Sequence, residues 1–269
     1  AVHCCRGVLI PHGGVIHLVR PFGCGGFAGR SRSAPRQRQQ QRACQRQKPS
    51  LVHGCSPPFS RQRGTVTAKQ VRSINRYIAG EVEKSGGKFI GFGTLHPDSE
   101  DLEGDLEELI SLGLRGVKLH PDMQNFKIDD YRYLKMYELC EGRLPMLIHM
   151  GDARSDFSHP KRLRAVMEIY DGLTVIAAHF GGYTMWEEAS HILAGMPNLY
   201  TDCSSSFFAL DDRTAVEIIR RYGADRVLFG TDYPMWRAED EIGHLLSLGL
   251  TEDECSAIFA GNVKRLLEI

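Results

Sequence analysis

The sequence has no acidic residue before Glu81, although its 269 residues include 33 Asp and Glu against 33 Lys and Arg. Residues 1–80 contain 14 Lys and Arg and no carboxylate, whereas residues 81–269 contain 19 basic and 33 acidic residues, a net charge of −14. The overall neutrality therefore describes neither part of the chain, and nucleic-acid binding cannot be argued from the total charge.

Long apolar runs and cysteine pairs are missing as well. No apolar run approaches 18 residues, which excludes a membrane-spanning helix, and 42% hydrophobic residues exclude disorder of the whole chain. The 8 cysteines form no CxxC pair, so neither a zinc finger nor a disulfide framework is predicted. We expect a cytoplasmic protein, and residues 1–30 lack the apolar stretch of a signal peptide.

Residues 1–64 differ from the rest of the chain. They include a run of Arg and Gln at 30–48 and show no sustained helical or strand period. A basic arm for RNA or anionic lipid and a transit peptide are two interpretations. We favour a third, translation of a GC-rich gene in the wrong frame, and predict a disordered, low-complexity segment over 1–64 that precedes one domain at 65–269.

From Thr65 onward, short apolar runs alternate with amphipathic segments. The stretch 67–86 places its apolar residues on one helical face and ends on two glycines, which predicts a helix. Six strands are predicted, each followed by a polar turn and a helix, at 88–96, 115–120, 145–149, 173–179, 199–204 and 226–232. Left-handed glycines are expected to end the intervening helices, at Gly113, Gly172, Gly223 and Gly249.

Repeated strand–loop–helix units of this length imply parallel strands joined by right-handed crossovers. No GxGxxG or Walker A motif opens a helix, so nucleotide-binding sheets lose their main support. Ionisable residues at successive strand ends favour a barrel, whose C-terminal rim carries the chemistry. We therefore predict an α/β protein with a (β/α)8 TIM barrel whose strands one and two are missing or corrupted within residues 1–64.

Three of the strand ends carry a set of metal-binding side chains. Strand alternation turns His149, Asp232 and His179 toward the barrel interior, and it turns Ala177 inward with His179. Two imidazoles and a carboxylate suit a divalent metal, most simply Zn²⁺, with Mn²⁺ or Fe²⁺ as alternatives, and leave a position for water. The metal would lower the pKa of that water toward neutrality.

Other residues at the same rim have weaker claims. Lys118 and His120 alternate onto one face of their strand, but His120, like His96, precedes a proline and also fits a simple loop start. Asp202 fits a structural cap on the serine-rich loop that follows it. Core packing, rather than a pocket wall, is the simpler explanation for the two tryptophans, Trp186 and Trp236.

Five motifs in chain order resemble those of the amidohydrolase-related metal-dependent hydrolases of the TIM-barrel fold: GVKLHP, LIHMGD, VIAAHFGG, VLFGTDYP and IFAGNVKRLL. The resemblance runs from about Thr65 to Ile269. It implies that His149 is a metal ligand, that His179 is a base or carbonyl polariser, and that Asp232 contacts metal and water. By the same resemblance, Lys118 stands near the strand-four position that holds a carboxylated lysine or a bridging carboxylate in other amidohydrolases.

One family motif is absent. The resemblance implies an HxH pair on strand one, but this chain has no HxH anywhere, and its early histidines are isolated at His3, His12, His17 and His53. Because the pair would fall inside the acid-free stretch, wrong-frame translation explains both anomalies. The chain as written is expected to retain metal weakly or to lack strands one and two.

We expect a divalent-metal-dependent hydrolase in which activated water attacks a carbonyl, Asp232 shuttles the proton and His179 stabilises the oxyanion. The alternatives are a non-oxidative decarboxylase of an aromatic or enol acid, an inactive barrel without the HxH ligands, and a basic-arm binding protein. Arg154 is a candidate for binding a substrate carboxylate. The expected partner is a small-molecule substrate, not nucleic acid or a membrane, with a homodimer as the candidate assembly.

Overall fold

The computed structural model describes residues 67–269 in full and the backbone of two short strands, 8–12 and 15–19. All of these residues belong to one structural unit, Ala1–Pro21 with Thr65–Ile269. The prediction of a disordered segment over residues 1–64 falls largely outside the described residues and stays a prediction. The isolated early histidines and cysteines also lie beyond what the structure describes in atomic detail.

Strands and helices alternate along the described chain. The strands are β1 Val8–His12, β2 Val15–Val19, β3 Phe89–Gly91, β4 Val117–Leu119, β5 Met146–Ile148, β6 Val175–Ala177, β7 Leu199–Asp202 and β8 Val227–Leu228. The helices are α1 Val71–Lys84, α2 Leu102–Ser111, α3 Pro121–Gln124, α4 Tyr131–Cys140, α5 Pro160–Ile169, α6 Trp186–Leu193, α7 Asp212–Tyr222, α8 Ala238–Ser247, α9 Glu252–Ser256 and α10 Asn262–Leu267. A π-helical turn, Ala257–Gly261, joins α9 to α10.

The six predicted strands are confirmed, because each predicted range contains one of the strands β3 to β8. Strands β4 to β8 form a parallel sheet in chain order, and a parallel bridge from Gly93 to Val117 joins the segment after β3 to β4. Strands β1 and β2 form an antiparallel hairpin that pairs with β3. Among the described residues β8 pairs with β7 alone, so the barrel is not closed there.

The helices end largely as the glycine pattern predicts. Gly113, Gly223 and Gly249 have φ angles of 77°, 89° and 71°, in the left-handed region that glycine tolerates. The prediction is wrong for Gly172, which has no positive φ. Its N–H donates instead to Oε1 of Glu141 at 2.8 Å, so a side chain from the preceding αβ loop replaces the left-handed turn.

The sheet has two apolar faces. Its outer face packs against the helices and includes Ala177, whereas Leu147, Ile176, Ala178 and Leu228 lie in a second cluster on the other face. The prediction that Ala177 points inward with His179 is therefore wrong for Ala177, which lies on the outer face. Strand β6 ends at Ala177, and the next turns have their own geometry, so alternation no longer applies to His179.

The described residues contain three cysteines, all of which are free thiols: Cys140, Cys203 and Cys255. Cys140 and Cys203 are fully buried, and burial raises the pKa of the Cys140 thiol to about 12, so it behaves as a small apolar side chain. Among the described helices, none is long and apolar enough to cross a membrane.

Candidate active site

The C-terminal ends of neighbouring strands bring five of the six predicted site residues together. The rings of His120 and His149 stack with centroids 3.8 Å apart and planes at 12°. Nε2 of His179 lies 3.0 Å from Nδ1 of His149. Lys118 and Asp232 act electrostatically on His120, and Asp232 also acts on Lys118. The parallel sheet produces this arrangement because β4, β5, β6 and β8 all end at the same edge.

Hydrogen bonds fix the proton positions on His149 and His179. Nδ1 of His179 lies 3.0 Å from the carbonyl oxygen of Ser204, which can only accept, so Nδ1 carries the proton. In this tautomer of His179, Nε2 is the acceptor, so it accepts the proton of Nδ1 of His149. This tautomer leaves the Nε2 lone pair of His149 unprotonated, which is the state a metal ligand requires.

Burial keeps His149 and His120 neutral. Loss of hydration lowers the pKa of His149 far below its usual range, and the neighbouring His179, His120 and Lys118 lower it further. Burial, followed by the charges of Lys118 and His179, lowers the pKa of His120 to about 3. The pKa of Lys118 is lowered by burial too, although Asp202 and Asp232 oppose the shift. Neutral imidazoles are competent metal ligands at ordinary pH.

One group of three side chains has the spacing of a metal site. A nitrogen of His120, a carboxylate oxygen of Asp122 and a nitrogen of His149 all lie within 4.8 Å of one another. Oδ2 of Asp122 accepts a hydrogen bond from Ser158, whereas its Oδ1 is buried and has no partner within residues 67–269. A buried, orphaned carboxylate oxygen beside two neutral imidazoles fits a divalent cation with nitrogen and oxygen ligands.

Sequence reasoning missed Asp122. Its only signal is the motif His-Pro-Asp, in which His120 caps α3 and Asp122 lies in the first turn of that helix. Nδ1 of His120 accepts from N–H of Met123 at 3.4 Å, a long and weak hydrogen bond. That bond places the ring proton of His120 on Nε2. To bind a metal through Nε2, the ring must move this proton to Nδ1, and the only hydrogen bond lost is the weak one from Met123.

Asp202 has the structural role that the sequence favours. Its Oδ1 accepts from N–H of His179 at 3.1 Å, from N–H of Ser204 at 2.9 Å and from the Ser204 hydroxyl at 2.5 Å. The Ser204 hydroxyl oxygen in turn lies 2.9 Å from Nδ1 of His179. Asp202 therefore holds both the backbone and the ring of His179 in place.

Four residues at the site have strained backbones. His179, Phe180, Ser205 and Asp232 have φ angles of 61°, 49°, 49° and 53°, in the left-handed region that side chains rarely adopt. Each costs about 1 kcal/mol or more, and such residues gather at functional sites where the surrounding contacts hold them. Because His179 and Asp232 follow the ends of β6 and β8, their left-handed backbones change the direction of their side chains from the one that strand alternation predicts.

An aromatic wall stands beside the two histidines. The ring of Tyr183 lies 5.8 Å from that of His179 and 6.2 Å from that of Phe208. Phe208 stacks on Trp236 with centroids 5.0 Å apart and contacts Trp186 edge-on at 6.1 Å. The two tryptophans predicted as core or pocket wall thus belong to one cluster, Trp186 on its buried side and Trp236 on its partly exposed side.

Two other residues singled out by the sequence stand apart from the cluster. The Arg154 side chain is 84% exposed, and its guanidinium binds the carboxylate of Asp152, so no hydrogen bond joins it to the other candidates. His96 is buried, and its Nδ1 accepts from N–H of Asp98 at 3.2 Å, as expected of a residue that starts a loop.

Comparison with known proteins identifies the family. The amidohydrolase family model matches residues 16–269, nearly the whole chain. No curated protein gives a significant match. The family match covers β3 to β8 and every strand end that contributes to the site.

Solved structures share the fold. An uncharacterised TIM-barrel protein from Bordetella bronchiseptica has a TM-score of 0.65 and 26% identity, over 72% of each chain. A dihydroxybenzoic acid decarboxylase from Polaromonas sp. JS666, with bound manganese and 2-nitroresorcinol, has a TM-score of 0.60 and 21% identity over 75% of each chain. A putative 2-pyrone-4,6-dicarboxylic acid hydrolase from Pseudomonas putida has a TM-score of 0.56 and 19% identity, over 72% of this chain and 77% of that one. The chain belongs to the amidohydrolase family and has its TIM-barrel fold.

Proposed function

We propose that the protein is a divalent-metal-dependent hydrolase that acts on a small carbonyl-containing substrate at the rim formed by β4 to β8. The observation that carries the proposal is the group of His120, Asp122 and His149, whose donor atoms lie within 4.8 Å of one another. His149 adds a lone pair fixed by its hydrogen bond to His179. Neutral imidazoles and a free carboxylate oxygen in one place are a metal-binding set.

His149, His120 and Asp122 would hold the ion, and Asp232 completes the set that the motif resemblance implies. Such an ion supplies Lewis acidity, either to a carbonyl group or to a water molecule. The decarboxylase from Polaromonas sp. JS666 contains manganese, which supports Mn²⁺ beside Zn²⁺ as a candidate. The strand-one HxH pair that the motif resemblance implies is absent from the sequence, so no ligand is assigned from that strand.

The other residues of the site handle protons. Asp232 accepts a hydrogen bond from Ser205 on Oδ2 at 2.8 Å, and its other oxygen, Oδ1, would take the proton from water. His179 first positions His149, because its Nε2 accepts the proton of the His149 ring. To act on substrate, His179 must release that bond, and its Nδ1, anchored to Ser204, keeps the ring in place while it does so.

A decarboxylase of an aromatic or enol acid is the second candidate. The aromatic wall of Tyr183, Phe208 and Trp236 favours it, because flat rings beside the two histidines can stack on a planar substrate. The same metal and the same histidines serve either reaction, so the site residues alone do not separate hydrolysis from loss of carbon dioxide. Arg154 would contribute to carboxylate binding only after its ion pair with Asp152 opens.

Metal binding by the full chain is the first test. Mn²⁺ titration, followed by the electron paramagnetic resonance signal of free Mn²⁺, should show one site, which His149→Ala weakens by about 100-fold or more because a direct ligand is lost. His179→Ala should weaken it by about 10-fold, the effect of removing a residue that orients a ligand. His191→Ala, which removes an exposed histidine of α6, is the matched control and should leave binding unchanged.

Turnover is the second test. Lactones, amides and aromatic carboxylic acids should be assayed with the metal-loaded protein, and the product identifies hydrolysis or decarboxylation. His179→Ala should lower kcat by about 10²-fold, the scale of a lost acid or base. If no substrate turns over and His149→Ala binds metal as the unmodified chain does, the hydrolase proposal fails and the inactive barrel is favoured.

A further inference from the structure

The Asp232 carboxylate is held by a two-step hydrogen-bond chain. Nε1 of Trp236 donates to the hydroxyl oxygen of Ser205 at 3.0 Å, and that hydroxyl donates to Oδ2 of Asp232 at 2.8 Å. An indole N–H can only donate, so Ser205 must accept there and has its single proton left for Asp232. The direction of the chain is therefore fixed, and it ends on one carboxylate oxygen.

We infer that Ser205 and Trp236 are positioning residues for Asp232, which select Oδ2 as the anchored oxygen and leave Oδ1 for ligand. Within residues 67–269 no other hydrogen bond reaches this carboxylate. This inference rests on the proposed function, in which Asp232 acts at the metal site. It assigns two further residues to that site, one from the loop after β7 and one from the loop after β8.

The backbone supports the same assignment. Ser205 and Asp232 both have left-handed φ angles, 49° and 53°, which their side chains disfavour. The loop that follows Asp232 runs past exposed Tyr233 and Met235 before Trp236 returns to stack on Phe208. Two strained residues joined by one hydrogen bond, with an aromatic stack beyond them, indicate that these contacts hold the carboxylate in its orientation.

Trp186 provides an internal control for Trp236. Both indoles contact Phe208, at 6.1 Å and 5.0 Å between centroids, and they are the only 2 tryptophans in the sequence. Nε1 of Trp186 is buried and has no partner within the described residues. Replacement of either tryptophan by phenylalanine keeps an aromatic ring, but only Trp236→Phe removes a hydrogen bond to Ser205.

Nuclear magnetic resonance can follow both indole N–H groups in the full chain. A ¹⁵N-labelled sample should give two indole cross-peaks, which Trp186→Phe and Trp236→Phe assign. Without metal, Ser205→Ala should shift the Trp236 peak and leave the Trp186 peak in place. Asp232→Ala should also shift the Trp236 peak, but only while Ser205 is present, because the serine hydroxyl carries the connection.

Zn²⁺ titration of the same samples tests the link to the metal site. The Trp236 peak should move with Zn²⁺, and Ser205→Ala should lower Zn²⁺ affinity by about 10-fold and abolish that movement. Trp236→Phe should lower Zn²⁺ affinity less, and Trp186→Phe should not change it. In the Asp232→Ala background, Ser205→Ala should have no further effect on affinity, which a merely structural role of the serine would not produce.

Two results separate the inference from the proposed function. If Zn²⁺ shifts no peak of the unmodified chain, the metal-dependent function is overturned, whereas dependence of the Asp232→Ala shift on Ser205 still supports the positioning of the carboxylate. If Zn²⁺ binds but Ser205→Ala changes neither its affinity nor the Trp236 peak, the inference is overturned and the proposed function stands. Thermal melts of each variant verify that it is folded.

Discussion

The two sides of the site differ in how their polar atoms are used. On the side of β4 and β5, Asp122 keeps a buried oxygen that no described residue contacts by a hydrogen bond, and burial holds His120 and His149 neutral. On the side of β7, the Oδ1 atom of Asp202 accepts three hydrogen bonds, and Ser204 connects it to His179. Among the described residues, the β4 and β5 side therefore has a buried acceptor atom without a partner, whereas Asp202 on the β7 side is held by several hydrogen bonds.

This difference separates binding from positioning. Unsatisfied buried acceptors are unfavourable in the absence of a ligand, so they accumulate where a ligand supplies the missing contact. A satisfied network instead fixes side chains in one orientation and is sensitive to the loss of any member. We therefore expect substitutions on the β4 and β5 side to change metal affinity, and substitutions on the β7 side to change stability.

The largest expected effect is the difference in the free energy of unfolding between the variants Asp202→Ala and Asp122→Ala. Asp202→Ala removes the acceptor of two buried backbone N–H groups and one hydroxyl, which should lower the free energy of unfolding by about 4 kcal/mol. Asp122→Ala removes one bond to Ser158 and an oxygen that has no partner in the described part of the chain, so the loss should stay near 1 kcal/mol. Urea unfolding, monitored by far-ultraviolet circular dichroism, measures both.

Metal affinity should respond in the opposite order. Asp122→Ala should weaken Mn²⁺ binding strongly, whereas any folded fraction of Asp202→Ala should lose at most about 10-fold, the effect of disturbing a residue behind a ligand. Equal losses of stability in the two variants would remove the distinction between the two sides of the site.

A close approach of two loops sets the next largest effect. Gly151 has a φ of 71°, and a Cβ there would lie 2.6 Å from the backbone of Gly182, in the loop that carries His179. Gly151→Ala should therefore lower the free energy of unfolding by about 3 kcal/mol, from the left-handed backbone and the overlap together. Chemical denaturation at equilibrium gives the value.

Gly249 is the matched control for the loop contact. It has the same φ of 71°, but nothing lies within 4 Å of the Cβ position. Gly249→Ala should thus cost about 1 kcal/mol, which is the contribution of the backbone alone. The difference between the two variants measures how tightly the β5 and β6 loops press together, and equal values would show that the loops separate freely.

The sequence predicted the strands and the residues at their ends because both depend on local pattern. Apolar runs and helix faces located β3 to β8, and the strand ends then brought His149 and His179 to one edge. Those steps need only the parallel arrangement and the length of each unit. The motif resemblance added the family, which the match over residues 16–269 confirms.

The rest depends on contacts between distant segments or on backbone states that residue type does not reveal. Alternation failed for His179 because β6 ends at Ala177 and the turn after it is left-handed. Asp122 was missed because its orientation depends on a hydrogen bond from Ser158, 36 residues away, to its Oδ2 atom. Asp202 was predicted to cap the serine loop, but the bond from Ser205 to Asp232 joins two loops that no local pattern connects.

Glu241 and Thr231 each have a buried side-chain oxygen without a partner within residues 67–269, on the β7 and β8 side. Of the two, Glu241 is titratable, and it gives the smallest expected effect. This residue of α8 is buried, its Oε2 has no partner within residues 67–269, and burial, followed by the charge of Asp240, raises its pKa to about 7. The folded protein therefore binds a proton that the unfolded chain releases near pH 4.5. The stabilising contribution of the neutral carboxyl is complete below that pH and is lost as the pH rises through 7.

Glu241→Gln should remove this pH dependence, because glutamine is neutral at every pH and has nearly the same shape. At pH 5 the variant and the unmodified chain should be almost equally stable, whereas at pH 8 the variant should be more stable by about 2 kcal/mol. Urea unfolding at the two pH values gives the difference. Glu239→Gln, on the exposed face of the same helix, should change stability equally at both pH values. A Glu241→Gln effect that is the same at pH 5 and pH 8 would mean that a partner already satisfies the carboxylate.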